Sequence, residues 1–429
     1  MTRLQEIADQ LQGYDPKSLS AAAVNAFLRQ LASTIDEYED VELLEGLNRI
    51  LAQDLICPID VPPHDNSAMD GYALDASQLR PGFETTLRVE GTSWAGQPFM
   101  GQLGPHGCIK VMTGAIMPAG LDAVLPLELA QISPDGLSVT VAADLLKPGD
   151  NRRLRGEDLQ RGESALKAGQ KLAPAQLGLA ASLGIQTVRV YRRLKVACFS
   201  TGDEILDAGQ APREGAVYDS NRYTLIGLLK GLGCEVIDLG RVADKPQALR
   251  STFEQAARLA DAIISSGGVS VGEADHTKAM MRQLGDVVFW RVAMRPGRPM
   301  AVGRMAAPGR PKAAVMFGLP GNPVAVMVTF LAFVRPALLQ MMGCTDPEPP
   351  LIKARSVQAL RKKPGRTEYQ RGWVEPGPDG QLQVCITGDQ GSGVLSSMAR
   401  ANGLIVLGHE QGSVIPGEMV DVMMFSGVI

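Results

Sequence analysis

Sulfur and imidazole are scarce: the 429-residue chain has six cysteines, at 57, 108, 198, 234, 344 and 385, and four histidines. No C-x-x-C pair occurs and no histidines fall at a ligand spacing. This argues against a disulfide framework, a zinc cluster or a histidine-based metal centre, and it fits a reducing compartment. Charge of one sign is also missing. The 42 basic residues meet 46 acidic ones, for a formal net charge of −4, so there is no global field to draw in nucleic acid or an anionic membrane. No uninterrupted apolar run reaches the ~18 residues of a membrane span. The opening MTRLQEIADQ has no apolar signal core, so no secretory leader and a cytoplasmic setting are expected. What remains is 45% hydrophobic and 21% charged, the balance of a folded protein with chain enough for several domains.

The densest stretch is Asp261 to His276, DAIISSGGVSVGEADH. A short apolar run of buried-strand length, Ala262 to Ile264, passes into Ser265, Ser266, Gly267 and Gly268, then Ser270 and the acids Glu273 and Asp275. Glycines permit a sharp turn and close approach of a phosphate, hydroxyls donate to an anion, and carboxylates hold a divalent cation beside it. A ligand-free strand-to-helix turn has the same look, and its company along the chain decides between the two readings.

Leu19 to Ile35 and Tyr38 to Leu55 carry apolar residues every three or four positions and are predicted as amphipathic helices. PIDVPPHDNSAMDGYALDA (58–76) crowds Asp65, Asn66, Ser67 and Asp70 together, hard oxygen donors suited to a cation or a polar ligand. From Leu87 to Val141 short β-rich pieces predict a β-containing domain, from which TGAIMP (113–118) exits through Thr113. KPGDNRRLRGEDLQRGE (147–163) alternates arginines and acids. A solvated, self-paired loop is the plain reading; Arg153 and Arg155 forking onto an anion with Asp158 facing a metal is the functional one.

From Leu194 strands alternate with helices, which predicts a doubly wound parallel sheet whose ligands sit at the carboxyl ends of strands. STGDE, VADKP, SSGGVSVGEAD and FGLPGNP all fall at or near such ends, bringing Glu204, Asp244, Pro320 and Pro323 to one edge. FWRVAMRPGRP adds Arg291, Arg295 and Arg298. After Pro347–Pro350 the pattern returns to strands, with a hairpin around PGPDG, and predicts a small β-barrel or sandwich. The expected division is 1–55 with 147–190 as a discontinuous helical and linking domain, 56–146 β-rich, 191–345 α/β, and 346–429 the barrel.

DNSAMDGYA, TGA-x-x-P, RRLRGED, STGDE, SSGGVSVGEAD and GLPGNP, in this order over nearly the whole chain, resemble the molybdopterin molybdenumtransferase family, which includes the E domain of gephyrin. The resemblance implies an elongated four-domain homodimer around a central molybdopterin-binding α/β domain. Its implied activity takes adenylylated molybdopterin and molybdate with Mg²⁺, releases AMP and leaves molybdenum on the dithiolene sulfurs. It implies functional positions at Asp65, Thr113, Arg153, Asp158, Glu204, Asp244, Asp275, Pro320, Pro323, Arg371 and Ser392. Glu204, Asp244 and Asp275 would be Mg²⁺ ligands, and the turn of Ser266, Gly267, Gly268 and Ser270 would meet the pterin phosphate. Arg291 and Arg295 replace residues that are often lysine in the family, and Arg298 replaces the second basic residue of a K-P-G-K-P-like segment; arginine forks where lysine is a point charge. Expected partners are small molecules, a second copy, the pathway's adenylyltransferase and molybdoenzyme-maturation proteins, with no nucleic acid or membrane. Two other readings are the adenylyltransferase of the same pathway, which would need only the central domain, and a gephyrin-like scaffold, whose extra domains are not seen here.

Overall fold

The computed structural model describes residues 4–11, 14–268 and 276–428. Its central part is one mixed sheet. In chain order the elements are β1 (Lys195–Thr201), α1 (Ser220–Leu232), β2 (Glu235–Val242), α2 (Pro246–Leu259), β3 (Ala262–Ser266), α3 (His276–Leu284), β4 (Asp286–Arg291), β5 (Pro299–Met305), β6 (Ala314–Leu319) and α4 (Pro323–Met341). The strand order is β2-β1-β3-β6-β5-β4; the first four run parallel, and β5 and β4 are added antiparallel. The sheet is covered on both faces, and the sequence alternates accordingly. In β1, Val196 and Cys198 join one core with α1 and α4, while Ala197 and Phe199 join the other with α2. A period of two sends successive side chains to opposite faces, so a strand apolar at every position must be buried twice.

Two devices fix α1: the Asp219 carboxylate caps its start by accepting from the Arg222 N–H, and Gly233 ends it at φ 88°. The long helix α4 is apolar enough to cross a membrane by composition, with a mean hydropathy of 1.8, yet 89% of that window is buried within the protein. It is a core helix, and its length is hidden in the sequence by Arg335 and Pro336. Pro336 offers no N–H and its ring crowds the preceding turn, and the helix widens into a π turn over Phe330–Val334 immediately before it. The buried Arg335 guanidinium donates to the carbonyls of Val428 and Pro347, tying α4 to the C-terminus.

In the flanking parts one expected element differs. Helices Leu4–Gln10 and Ala21–Leu31 pack into the same core as α4 and β4, with Phe27 edge-on to Trp290 at 4.8 Å. The predicted helix over Tyr38 to Leu55 is absent. Tyr38–Glu42 is a strand paired antiparallel with Thr187–Tyr191, followed by one 3₁₀ turn, Leu43–Gly46, and Asn48 at φ 63°. Its leucine spacing imitates a helix, but Leu51 is buried beneath a bridge to Val190 and Leu44 faces solvent. Thus 38–56 and 164–191 form one unit, closed by helix Pro174–Ser182. Between them lies a six-stranded sheet spanning Gly71 to Val141. At the other end, strands Leu351–Ser356, Thr367–Pro376, Leu382–Ile386, Gly403–Leu407 and Met419–Met424 close into a five-stranded barrel.

Candidate active site

The parallel strands β1 and β3 lie side by side while their connections leave in opposite directions, the switch point where doubly wound sheets bind ligands. A cleft of about 830 Å³ opens there. Its lining includes Ser200 and Thr201 from the end of β1, Glu204 and Asp244 from the loops after β1 and β2, Asp219 and Asn221 from the start of α1, and Ser266, Gly267 and Gly268 from the end of β3. The glycines are required by the backbone. Gly267 has φ 91°, and a Cβ there would stand 2.6 Å from the Thr201 carbonyl oxygen. Gly268 has φ 66°, and its Cβ would meet Thr277 at 2.4 Å. Among the described residues its lining carries three carboxylates, of which Asp219 is paired with Arg222, and no cation.

A second cavity, about 670 Å³, adjoins it and shares Gly321 and Asn322 with it. Its walls are the 294–299 segment, Pro320 and the start of α4 on one side, and Arg366 with Gln390, Gly391 and Ser392 of the C-terminal domain on the other. Among the described residues its lining carries three guanidiniums, Arg295, Arg298 and Arg366, and no carboxylate. The two domains are joined across it: the Asn322 side-chain amide donates to Ser392 Oγ at 3.0 Å, and the Val324 N–H to the Ser392 carbonyl at 3.2 Å.

Of the expected site residues, Glu204, Asp244, Ser266, Gly267, Gly268 and Pro323 line the first cavity, and Arg295, Arg298, Pro320 and Ser392 the second. Ser270 and Asp275 lie outside the described residues. Arg291 ends the edge strand β4, exposed, and lines neither cavity; its backbone bonds Pro16 and Leu19 instead. Arg371 is 1% exposed and donates to Ser397 Oγ and to the carbonyls of Asp389, Gln390 and Gly391. It holds the loop that presents Ser392, with its own donors already engaged. Ser266 is likewise engaged, accepting from Asn221 at 2.8 Å.

Asp65, Thr113, Arg153 and Asp158 line neither cavity. Asp65 accepts from the Arg155 N–H and from the Arg152 guanidinium, which hold its carboxyl below the usual range. The Thr113 N–H and hydroxyl both donate to Asp70, at 2.7 and 2.8 Å. Asp60, Asp65, Arg152 and Arg155 form a self-paired knot, whereas Arg153 and Asp158 carry no ion pair among the described residues.

Asn221, Asp219, Asn322 and Arg366 were missed. Asn221 is the second residue of α1. Its amide spans the cleft floor, donating to Ser266 Oγ and to the Gly321 carbonyl at 2.7 Å, and its Oδ1 is buried without a partner. Only the register of α1 against β3 and the loop after β6 brings these together. Arg366 lies just before the expected Arg371 but belongs to none of the six motifs.

Fold and cavities together define a multidomain protein built on a ligand-binding α/β sheet, and comparison places it more closely. Three family models match in order: the MoeA N-terminal region (domains I and II) over residues 19–184, the probable molybdopterin binding domain over 197–340, and the MoeA C-terminal region (domain IV) over 353–425. A molybdopterin molybdenumtransferase of Haemophilus influenzae is 42% identical over 392 residues, covering 91% of this chain and 95% of that relative. One from a Nostoc species is 35% identical, covering 88% and 87%. The crystal structure of a molybdopterin biosynthesis MoeA protein from Pyrococcus horikoshii superimposes with a TM-score of 0.80 at 27% identity, over 95% of this chain and 100% of that one. The chain belongs to the molybdopterin molybdenumtransferase family.

Proposed function

We propose that this chain is a transferase of molybdenum cofactor biosynthesis that inserts molybdenum from molybdate into adenylylated molybdopterin, with Mg²⁺ and release of AMP. The observation that carries the reading is the pair of adjoining cavities of opposite charge. The arginine-lined cavity suits a tetrahedral dianion: Arg295 and Arg298 carry no ion pair among the described residues, and guanidiniums pair with oxyanions in a fork. The carboxylate-lined cleft repels a bare diphosphate and accepts one bridged by a cation.

Mg²⁺ fits the donors present. It takes one or two carboxylates and completes its shell with water and phosphate oxygens, and Glu204 and Asp244 supply two. No group of three such ligands occurs among the described residues. When bound, the cation neutralises charge on the phosphates as the anhydride breaks. The chain's own groups position the substrate: the Gly267–Gly268 turn admits the phosphate, and Asn221 and Ser266 fix the floor. No cysteine lines either cavity, and the four buried thiols are inert core residues, with burial pushing those of Cys108, Cys198 and Cys234 up to about 12. The activity proposed here uses no covalent intermediate on the protein.

Asp65, Thr113, Arg153 and Asp158 reach the same ligand only if a second copy supplies them, so a homodimer in a reducing cytoplasm is part of the proposal. Incubation with adenylylated molybdopterin, Mg²⁺ and molybdate tests it. AMP and active cofactor should form together, and adenylylated molybdopterin left intact under all three conditions would refute it.

A further inference from the structure

The arginine-lined cavity has a member that the sequence reading did not contain. Arg366 precedes the barrel strand Thr367–Pro376, and that strand is stitched to the 294–295 segment: the Thr367 N–H donates to the Ala293 carbonyl at 2.9 Å, and Arg295 registers against Glu368. The stitch sets Arg366 on the wall facing Arg295 and Arg298. Its guanidinium is braced from behind. Glu368, only 2% exposed, accepts from Arg366 Nε at 2.8 Å and Nη2 at 2.7 Å, while its other oxygen accepts from Gln370 at 3.2 Å. One edge of the fork is thereby spent, and Nη1 has no partner among the described residues. Arg366 remains 36% exposed.

We propose that Arg366 is a third oxyanion-binding residue of this cavity and that Glu368 is its positioning residue. Three guanidiniums against one carboxylate leave two positive charges, the number a tetrahedral dianion such as molybdate neutralises. Arginine loses much side-chain freedom on binding an anion, and a brace that already fixes the fork removes part of that cost. A surface arginine paired to an acid elsewhere in the chain would contribute little; here the acid is buried and off the cavity lining, and it fixes the Nε and Nη2 side of a guanidinium that lines the cavity.

The inference rests on the functional reading above, and one experiment separates the two. The full-length chain is dialysed to equilibrium with molybdate alone at fixed ionic strength, and bound molybdenum is counted. Arg366→Ala leaves Glu368 buried and unpaired, so the informative variant is Arg366→Met with Glu368→Gln, checked for folding by thermal melting. The expected result is a tenfold or greater loss of molybdate binding both in this variant and in Arg295→Ala, with a smaller loss in Arg366→Lys. Loss in Arg295→Ala but parent-like binding in the double variant overturns the role of Arg366 and leaves the cavity's assignment standing. Parent-like binding in every variant overturns both.

Discussion

At the scale of single residues, the site depends on which charges are left unpaired. Arg295 and Arg298 have no carboxylate partner among the described residues, whereas Arg152, Arg155 and Arg371 are consumed within the fold. Arg295→Ala should therefore raise the molybdate requirement of cofactor formation about ten- to hundred-fold, the equivalent of a charge-assisted hydrogen bond of roughly 1.5–3 kcal/mol. Arg295→Lys should cost less, since the charge stays and only the fork goes. Identical molybdate dependence in all three proteins would move the anion elsewhere. Glu204→Ala should abolish Mg²⁺-dependent AMP release while leaving the melting temperature close to that of the parent, because its carboxylate is exposed in the cleft; Asp275→Ala is expected to behave alike, on the resemblance. A purely structural carboxylate behaves in the opposite way. Burial works to raise the pKa of Asp261, but Arg192, Arg310 and the Lys195 N–H outweigh it and hold the carboxyl below its usual range. A depressed folded-state pKa stabilises above the unfolded value of about 3.9, and that contribution is lost as pH falls through the folded value. Asp261→Asn should thus lose about 2–4 kcal/mol near neutral pH, and urea midpoints should show the gap to the parent closing below about pH 4.

At the scale of elements, the strand-to-turn junctions carry the geometry. Gly267→Ala places a Cβ against the Thr201 carbonyl in a left-handed backbone, so it should cost about 1–3 kcal/mol and lower the melting temperature together with activity. A melting curve unchanged from the parent would mean that the turn relaxes freely. The strand-helix alternation after Leu194 was legible because each β strand is buried on both faces and each helix carries one apolar face. The misread stretch over Tyr38 to Leu55 has a physical cause. Val41, Leu44, Leu47, Leu51 and Leu55 satisfy a helical period, but the partner for residues 38–42 lies at 187–191, and pairing with a remote strand overrides local periodicity. The apolar length of α4 was masked because Arg335 interrupts it, and only the tertiary fold supplies the carbonyls that let an arginine be buried there.

At the scale of the whole molecule, the cleft is assembled from parts far apart in the chain. The C-terminal domain reaches over the α/β sheet through Ser392 and Arg366, while the Asp65 knot belongs to the N-terminal sheet region and lines neither cavity. The homodimer proposed above brings a second copy's knot to this cleft only as part of that proposal, and light scattering at micromolar concentration should give twice the 45.7 kDa chain mass. A monomer mass there would leave the knot without a site to complete.

Residue types and their order determined much by themselves. Six short polar motifs carried the family, because glycine, proline, hydroxyl and carboxylate at turn spacings are demanded by backbone geometry and ligand chemistry within a few residues of one another. Which of those groups remain available was decided by tertiary structure. Arg371 and Arg295 look equivalent as letters, yet one is spent on three backbone carbonyls and the other faces an open cavity. Arg366 gave no local signal at all, since its place comes from a strand pairing that joins residues 294–295 to 367–368. A charge acts through what lies within a few ångströms of it, and for residues distant in sequence only the folded chain sets that distance.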